Sequence, residues 1–278
     1  MITVDAALRQ ARQTISAAEA RQLLAQRCGR GHAWLAAHGE DQLDAAAAQQ
    51  FFELVQRRAA GEPIAYLTGT REFYGRDFAA SPAALIPRPE TELLVDLALG
   101  LAAEMAAPRL LDLGCGSGCI AVTLALELPR AEVTAIDLSP AALALAARNA
   151  TTHKVELRLL ASDWFAAVDA QRFDLIVANP PYVAAGDPHL ERGDLRFEPS
   201  LALAAGADGL QAIGRIVAAA PAYLAPAGSL LLEHGYDQAP AVRALFATAG
   251  FGEIAQEADL AGILRVTRGR LTPRGPAA

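Results

Sequence analysis

A chain of 278 residues, 53% hydrophobic and 20% charged, can form a soluble globular protein with one large domain, or with a small and a larger one. Its net charge of −7 is unevenly spread: residues 1–60 carry seven Arg against six acidic residues, and the remainder is acidic. That balance offers no phosphate-tracking surface, and Cys28, Cys115 and Cys119 make no Cys-x-x-Cys pair or Cys/His cluster, so direct nucleic-acid binding, a disulfide framework and a metal site are not expected.

The N-terminal "MITVDAALRQARQ" lacks the apolar core of a signal peptide, and no run of about 20 apolar residues follows, which predicts a cytoplasmic protein without membrane contact. Residues 1–60 have a helical period broken at "RCGRGH" (27–32) and "AHGED" (37–41). Leu8, Ile15, Leu23, Leu24, Phe51, Phe52, Leu54 and Val55 can line a small helical core. Gly and Pro punctuation after residue 60, with alternation around Phe73, Tyr74 and Phe78, predicts a β-hairpin linker over 61–88. "PETELLVDLALGLAAEM" resumes a helix with Pro89 near its start. From residue 109 strands and helices alternate: strands are expected at 109–114, 132–137, 155–162, 173–180, 228–235 and 262–269, with helices at 118–128 and 140–149. Such spacing argues for an α/β domain over 89–278, its mostly parallel sheet covered on both faces, with an antiparallel edge near the C-terminus. The Pro/Gly/Ala tail is expected to fray.

In "LLDLGCGSGCIAVTLA" (110–125), Gly114, Gly116 and Gly118 follow an apolar strand and open a helix. Glycines there permit a tight turn whose amides approach a ligand at the helix N-terminus. The spacing is tighter than the dinucleotide Gly-x-Gly-x-x-Gly and, with Asp112 before it, suits S-adenosylmethionine. Asp137 ends the next strand, where a carboxylate can accept both ribose hydroxyls. The third strand ends in "SDWF", in which Asp163 can accept from an adenine amino group and Trp164 can cover the ring.

The fourth strand stops at Asn179-Pro180-Pro181-Tyr182. Two prolines stiffen the turn, so that the Asn179 side-chain oxygen and the Pro180 carbonyl can face a ligand as fixed acceptors. A planar NH₂ group has two donors, and two acceptors aim its nitrogen along the methyl–sulfur axis, with Tyr182 flat against the plane. Adenine N6, guanine N2 and a glutamine side-chain amide all satisfy this reading.

The segments "GEPIAYLTGTREFYG", "LIPRPETELLV", "LDLGCGSG", "NPPY", "GDLRFEPSLAL" and "LLLEHG" together resemble the release factor glutamine methyltransferase family, over residues 60–266. The combination is specific, whereas Asn-Pro-Pro-Tyr alone also occurs in DNA and RNA methyltransferases. The resemblance implies a Rossmann-like methyltransferase domain with a seven-stranded sheet, preceded by a small helical domain; residues 1–60 differ in charge balance from the rest and hold no candidate chemistry, and are therefore assigned to docking the partner. It implies methyl transfer from S-adenosylmethionine to the glutamine amide nitrogen of the Gly-Gly-Gln motif in class 1 peptide chain release factors, leaving S-adenosylhomocysteine. Carried over, Gly114, Cys115, Gly116, Ser117, Gly118, Asp137, Asp163, Trp164 and Asn179 bind the cofactor. Asn179, Pro180, Pro181 and Tyr182 hold the glutamine amide, with Asn179, Pro180 and Tyr182 as catalytic residues. Arg88 and Glu90 frame the pocket edge, and residues 186–199 form an active-site loop in which His189 is structural.

One departure stands out. The family's late segment resembles Asp-Leu-Ala-Gly-Arg-x-Arg, whereas here "DLAGILR" places Ile263 and Leu264 before Arg265. An adenine or guanine methyltransferase would be expected to carry a basic groove, which is absent from the sequence. A non-catalytic S-adenosylmethionine-binding module would not need Asn179 and Tyr182.

Overall fold

Short polar side chains start the N-terminal helices, and their caps are local enough for sequence to dictate. The structure, a computed structural model, describes residues 1–168, 171–191 and 193–272. It begins with β1 (Ile2–Thr3), α1 (Val4–Ala11), α2 (Ala17–Cys28), α3 (His32–Ala37), β2 (Gln42–Leu43), α4 (Ala45–Ala59) and α5 (Ile64–Thr68). Thr3, Ser16 and Asp44 accept from the amides of Ala6, Glu19 and Ala47, satisfying donors that a helix start leaves over. Ser16 and Glu19 reciprocate as a capping box. The apolar faces then meet: Leu8, Leu23, Leu24, Phe51 and Val55 are buried in one cluster, with Ile15, Phe52 and Leu54 packed on it. These are the core residues the helical period predicts. Met1–Thr70, with the described residues of Glu191–Phe197, forms the first of two compact units. Within it Arg58 donates to Glu19 at 2.7 Å and to Asp194 at 2.9 Å.

The second unit comprises the described residues of Arg71–Leu190 and Glu198–Ala278. Of the span 61–88 expected to be a β-hairpin linker, residues 64–68 form helix α5 and the hairpin is confined to β3 (Thr70–Phe73) and β4 (Arg76–Ala79); Phe73 and Phe78 are buried in one cluster with Leu94 and Val95 of α6 (Glu92–Ala102). Thereafter come β5 (Arg109–Leu113), α7 (Cys119–Glu127), β6 (Glu132–Asp137), α8 (Pro140–His153), β7 (Arg158–Ala161), β8 (Phe173–Ala178), α9 (Gln211–Ala219), β9 (Leu224–Glu233), α10 (Ala239–Thr248), β10 (Phe251–Ala258) and β11 (Leu264–Leu271). Among the described residues these strands make one seven-stranded sheet in the order β10–β11–β9–β8–β5–β6–β7. It is parallel from β7 to β9 and antiparallel at β11 and β10. Alternate residues take opposite faces: Leu110, Val133, Leu175 and Val177 pack with α6 and α7, while Leu111, Leu113, Ile136 and Ile176 pack with α9 and α10. Both faces are therefore covered, as the near-continuous apolar runs of β5, β6 and β8 require.

The sequence reading has no strand at β10. Most of its residues are half-buried, and its ladder with β11 shifts register between Gly252 and Ala255. An edge strand interrupted by a bulge carries no clean alternation. The tail expected to fray lies outside the described residues. No helix among those described is long and apolar enough to cross a membrane. Because β5 lies between β6 and β8, chain order reverses there and a crevice opens beyond the strands' carboxyl ends.

Candidate active site

A cavity of about 600 Å³ fills that crevice, a size suited to a small-molecule ligand. Gly114, Cys115, Gly116 and Ser117 after β5, Asp137 at the end of β6, Asp163 and Trp164 after β7, and Asn179 and Pro181 after β8 all line it. Gly118, Pro180 and Tyr182, singled out with them from sequence, are not on its wall.

Gly118 acts through packing. A Cβ there would sit 2.9 Å from the Ala146 Cβ on α8, and its φ of 77° is left-handed, so only glycine lets α7 and α8 approach at this point. Both Asp137 oxygens accept backbone N–H groups, Oδ2 from Gly116 at 2.9 Å and Oδ1 from Ser139 at 2.8 Å. A carboxylate has about four acceptor sites, so each oxygen retains capacity for a ligand. Asp112 is different: it is buried, and neither oxygen has a hydrogen-bond partner among the described residues. Burial pushes it up to about 7, opposed by the Ala121 backbone amide, which lies beyond a good hydrogen-bond geometry, and helped by the Asp137 charge. Burial and the Asp112 and Asp137 carboxylates raise Cys115 well above the ordinary thiol value, and burial takes Cys119 to about 12, so neither is a nucleophile at neutral pH. Trp164 packs against the glycine turn, 3.4 Å from where a Gly114 Cβ would stand. Asp163 is exposed at the rim and accepts from Arg215 at 2.8 Å.

Asn179 sits at one end of a hydrogen-bond chain. Its Nδ2 donates to Thr91 Oγ1 at 2.9 Å, the Thr91 hydroxyl donates to Glu233 Oε2 at 2.7 Å, and the Tyr182 hydroxyl donates to Glu233 Oε1 at 3.2 Å. Thr91 and Glu233 are absent from the sequence-predicted site. "LLLEHG" carried a signal for Glu233, a carboxylate closing a buried strand next to β8, but Thr91 sits unremarked in a helix start. Burial pushes Glu233 up to about 7, opposed by Thr91, Tyr182 and Arg265. Burial and Glu233 together raise the Tyr182 phenol, so it stays protonated. The backbone of the motif is held as well: Gln238 Nε2 donates to the Tyr182 carbonyl at 3.0 Å, and the Val183 amide donates to Leu203 at 2.9 Å. Gly209, also missed, lies so close to the Tyr182 carbonyl at φ 72° that no side chain fits.

Arg88 lines the cavity and donates to Glu198, whose other oxygen accepts the Ile86 amide at 2.9 Å. Glu90 is exposed and does not line the cavity, but its charge raises Glu233. Of residues 186–199, Pro199 reaches the cavity wall; His189 is exposed and bonded to Asp187 at 2.7 Å, and Arg192 lies outside the described residues. At the divergent segment, Asp259 accepts from the Ile263 amide at 3.0 Å and from Arg265 at 3.0 Å, so the turn is closed by backbone and Arg265 while the Ile263 side chain is partly exposed.

Residues 91–193 match the methyltransferase small domain family, and residues 3–69 match the PrmC N-terminal domain family. The release factor glutamine methyltransferase of Bordetella pertussis is 54% identical over 254 residues, covering 91% of this chain and 94% of that one. The protein of the same name from Escherichia coli is 46% identical over 253 residues, 91% of each chain. Among solved structures, a T. thermophilus 16S rRNA N2 methyltransferase in complex with AdoMet and guanosine aligns with a TM-score of 0.54 at 22% identity, over 72% of this chain and 49% of that one. That likeness is one of fold.

Proposed function

The chain belongs to the release factor glutamine methyltransferase family, and from that premise we propose that its cavity binds S-adenosylmethionine and presents the glutamine of the Gly-Gly-Gln motif of a class 1 release factor to it. The bound cofactor supplies an electrophilic methyl group on a sulfonium, with a neutral thioether as leaving group. The residues present fit that group. Gly114 and Gly116 open the cavity wall at the head of α7, and Asp137 keeps acceptor capacity beside them. Asp112, buried behind this turn and off the cavity wall, leaves two oxygens without a short hydrogen bond among the described residues. Trp164, packed on the glycine turn, gives the cavity an apolar face, and Asp163 gives it an acceptor.

The observation that carries the reading is Asn179. Its Nδ2 is committed to Thr91, which leaves Oδ1 on a residue of the cavity wall. The neighbouring Pro180 is buried and off the cavity wall, but its carbonyl accepts no hydrogen bond from the described residues and is the second acceptor this reading calls on. Two adjacent acceptors match the two N–H donors of a primary amide and hold its nitrogen in line for the methyl group. The first unit, Met1–Thr70 with its own core, carries none of the cavity residues, and we assign it to docking the release factor in the cytoplasm. Incubation with labelled S-adenosylmethionine and a release factor, DNA or RNA tests this. Label on the release factor alone is expected; label on nucleic acid, or none on the release factor despite measurable cofactor binding, contradicts it.

A further inference from the structure

The amide of Asn179 can be oriented in two ways, and only one of them serves the reaction. With Oδ1 free, the side chain accepts from a substrate NH₂; flipped, it offers its own NH₂ and meets the substrate donor to donor. What decides between them is the protein partner of the amide, Thr91, which also lines the cavity. Thr91 Oγ1 has one proton, and in the structure it goes to Glu233 Oε2 at 2.7 Å. The oxygen is then an acceptor toward Asn179, which must turn Nδ2 to it, at 2.9 Å. Tyr182 donates to the other Glu233 oxygen at 3.2 Å, so the carboxylate takes two hydroxyl donors and gives none.

Resting on the glutamine-amide reading above, we infer that Thr91 and Glu233 are positioning residues for methyl transfer: the ionised Glu233 fixes the direction of the Thr91 hydroxyl, and Thr91 thereby fixes the Asn179 amide with Oδ1 toward the substrate. Protonating Glu233 makes one of its oxygens a donor. If that oxygen faces Thr91, the Thr91 proton turns to Asn179 and the amide flips to accept it. The substrate then loses one of its two acceptors. Glu233 is 1% exposed and is faced by Thr91 and Glu90 from the turn that precedes α6, by Tyr182 after β8 and by the Arg265 guanidinium of β11. Arg88 acts on Tyr182, while the adjacent His234 turns to Thr267 at 2.9 Å. Burial outweighs Arg265 and the two hydroxyls, so Glu233 titrates near 7 and the chain reverses as pH falls through that value. The neighbouring β9 and β11 strands hold the carboxylate in place, since Val266 pairs with Glu233 itself.

The test is single-turnover methyl transfer to a release factor from pH 5.5 to 9, alongside calorimetric S-adenosylmethionine binding, for the full-length protein and three variants. Wild-type transfer to the Gly-Gly-Gln glutamine is the control, and its absence would fail the substrate reading, not this one. Thr91→Val, which removes the hydroxyl at nearly constant shape, should lower the rate by about 10–100-fold with cofactor affinity changed by less than about threefold. Thr91→Ser should restore most of that loss. The wild-type rate should fall on the acid side of about 7, and Glu233→Gln should lower the plateau and abolish that acid limb. A Thr91→Val enzyme with wild-type rates at every pH overturns the inference. So does an acid limb that survives in Glu233→Gln, or a loss in cofactor affinity that matches the loss in rate.

Discussion

At Asp112, two carboxylate oxygens lie buried just before the glycine turn with no short hydrogen bond among the described residues. Burial raises its pKa from 3.8 to about 7, so the folded state holds the proton more tightly than the unfolded one. The resulting stabilisation is complete below about 4 and is lost as pH rises through about 7. Asp112→Asn removes this dependence: between pH 5 and 8 its stability relative to wild type, measured by urea denaturation without cofactor, should rise by about 2–3 kcal/mol. A constant difference across that range would mean Asp112 does not titrate as the structure implies. At Gly118 the strain is steric, so Gly118→Ala should cost about 2–4 kcal/mol from a left-handed backbone and a 2.9 Å approach to Ala146. Much of the site at this scale is legible in the sequence because strand ends announce themselves: Gly114, Asp137, Trp164 and Asn179 each follow an apolar run. Thr91 does not. It lies 88 residues from Asn179 and 142 from Glu233, and a hydrogen bond between distant polar residues leaves no local pattern.

Elements buried on both faces were readable from their composition, and exposed ones were not. β5, β6 and β8 are buried almost throughout and fall where alternation with helices predicts. β7, at one edge, spans 158–161 where eight residues were expected, and β10, at the other, was missed altogether. Edges receive hydrogen bonds from one neighbour only, and half-exposed strands tolerate Glu and Gln that mask the period. The β10 edge is nevertheless anchored. Phe246 of α10 is fully buried, its ring 5.0 Å from that of Phe251, and Gly269 on β11 gives it room. Phe246→Ala should therefore cost about 3–5 kcal/mol, with the urea midpoint lowered and the slope unchanged. A loss below about 1 kcal/mol would mean that α10 does not close this face of the sheet.

Over the whole molecule, binding chemistry and the helical unit are separate in the chain. Every residue that lines the cavity lies between Ala83 and Arg215 of the second unit, whereas Met1–Thr70 has a core of its own. Removing residues 1–60 should leave S-adenosylmethionine binding within about threefold while methylation of an intact release factor falls at least about tenfold, as expected when docking supplies the effective concentration of the glutamine. Full activity in the truncated protein would remove the docking role. The division into a helical stretch and an α/β stretch was visible from the change in period near residue 60. The pairing of Arg58 with Asp194 within the helical unit was not, because it joins segments 136 residues apart. In the proposed reaction the acceptor atom is the nitrogen of a glutamine amide held by Asn179 and the Pro180 carbonyl after β8. This assignment is tested most directly by single-turnover methyl transfer to a class 1 release factor and to the same factor with its Gly-Gly-Gln glutamine changed to alanine. Methyl incorporation into the first is expected, located by mass spectrometry on that glutamine, with at least about a hundredfold slower transfer to the second. Comparable rates on both would contradict it.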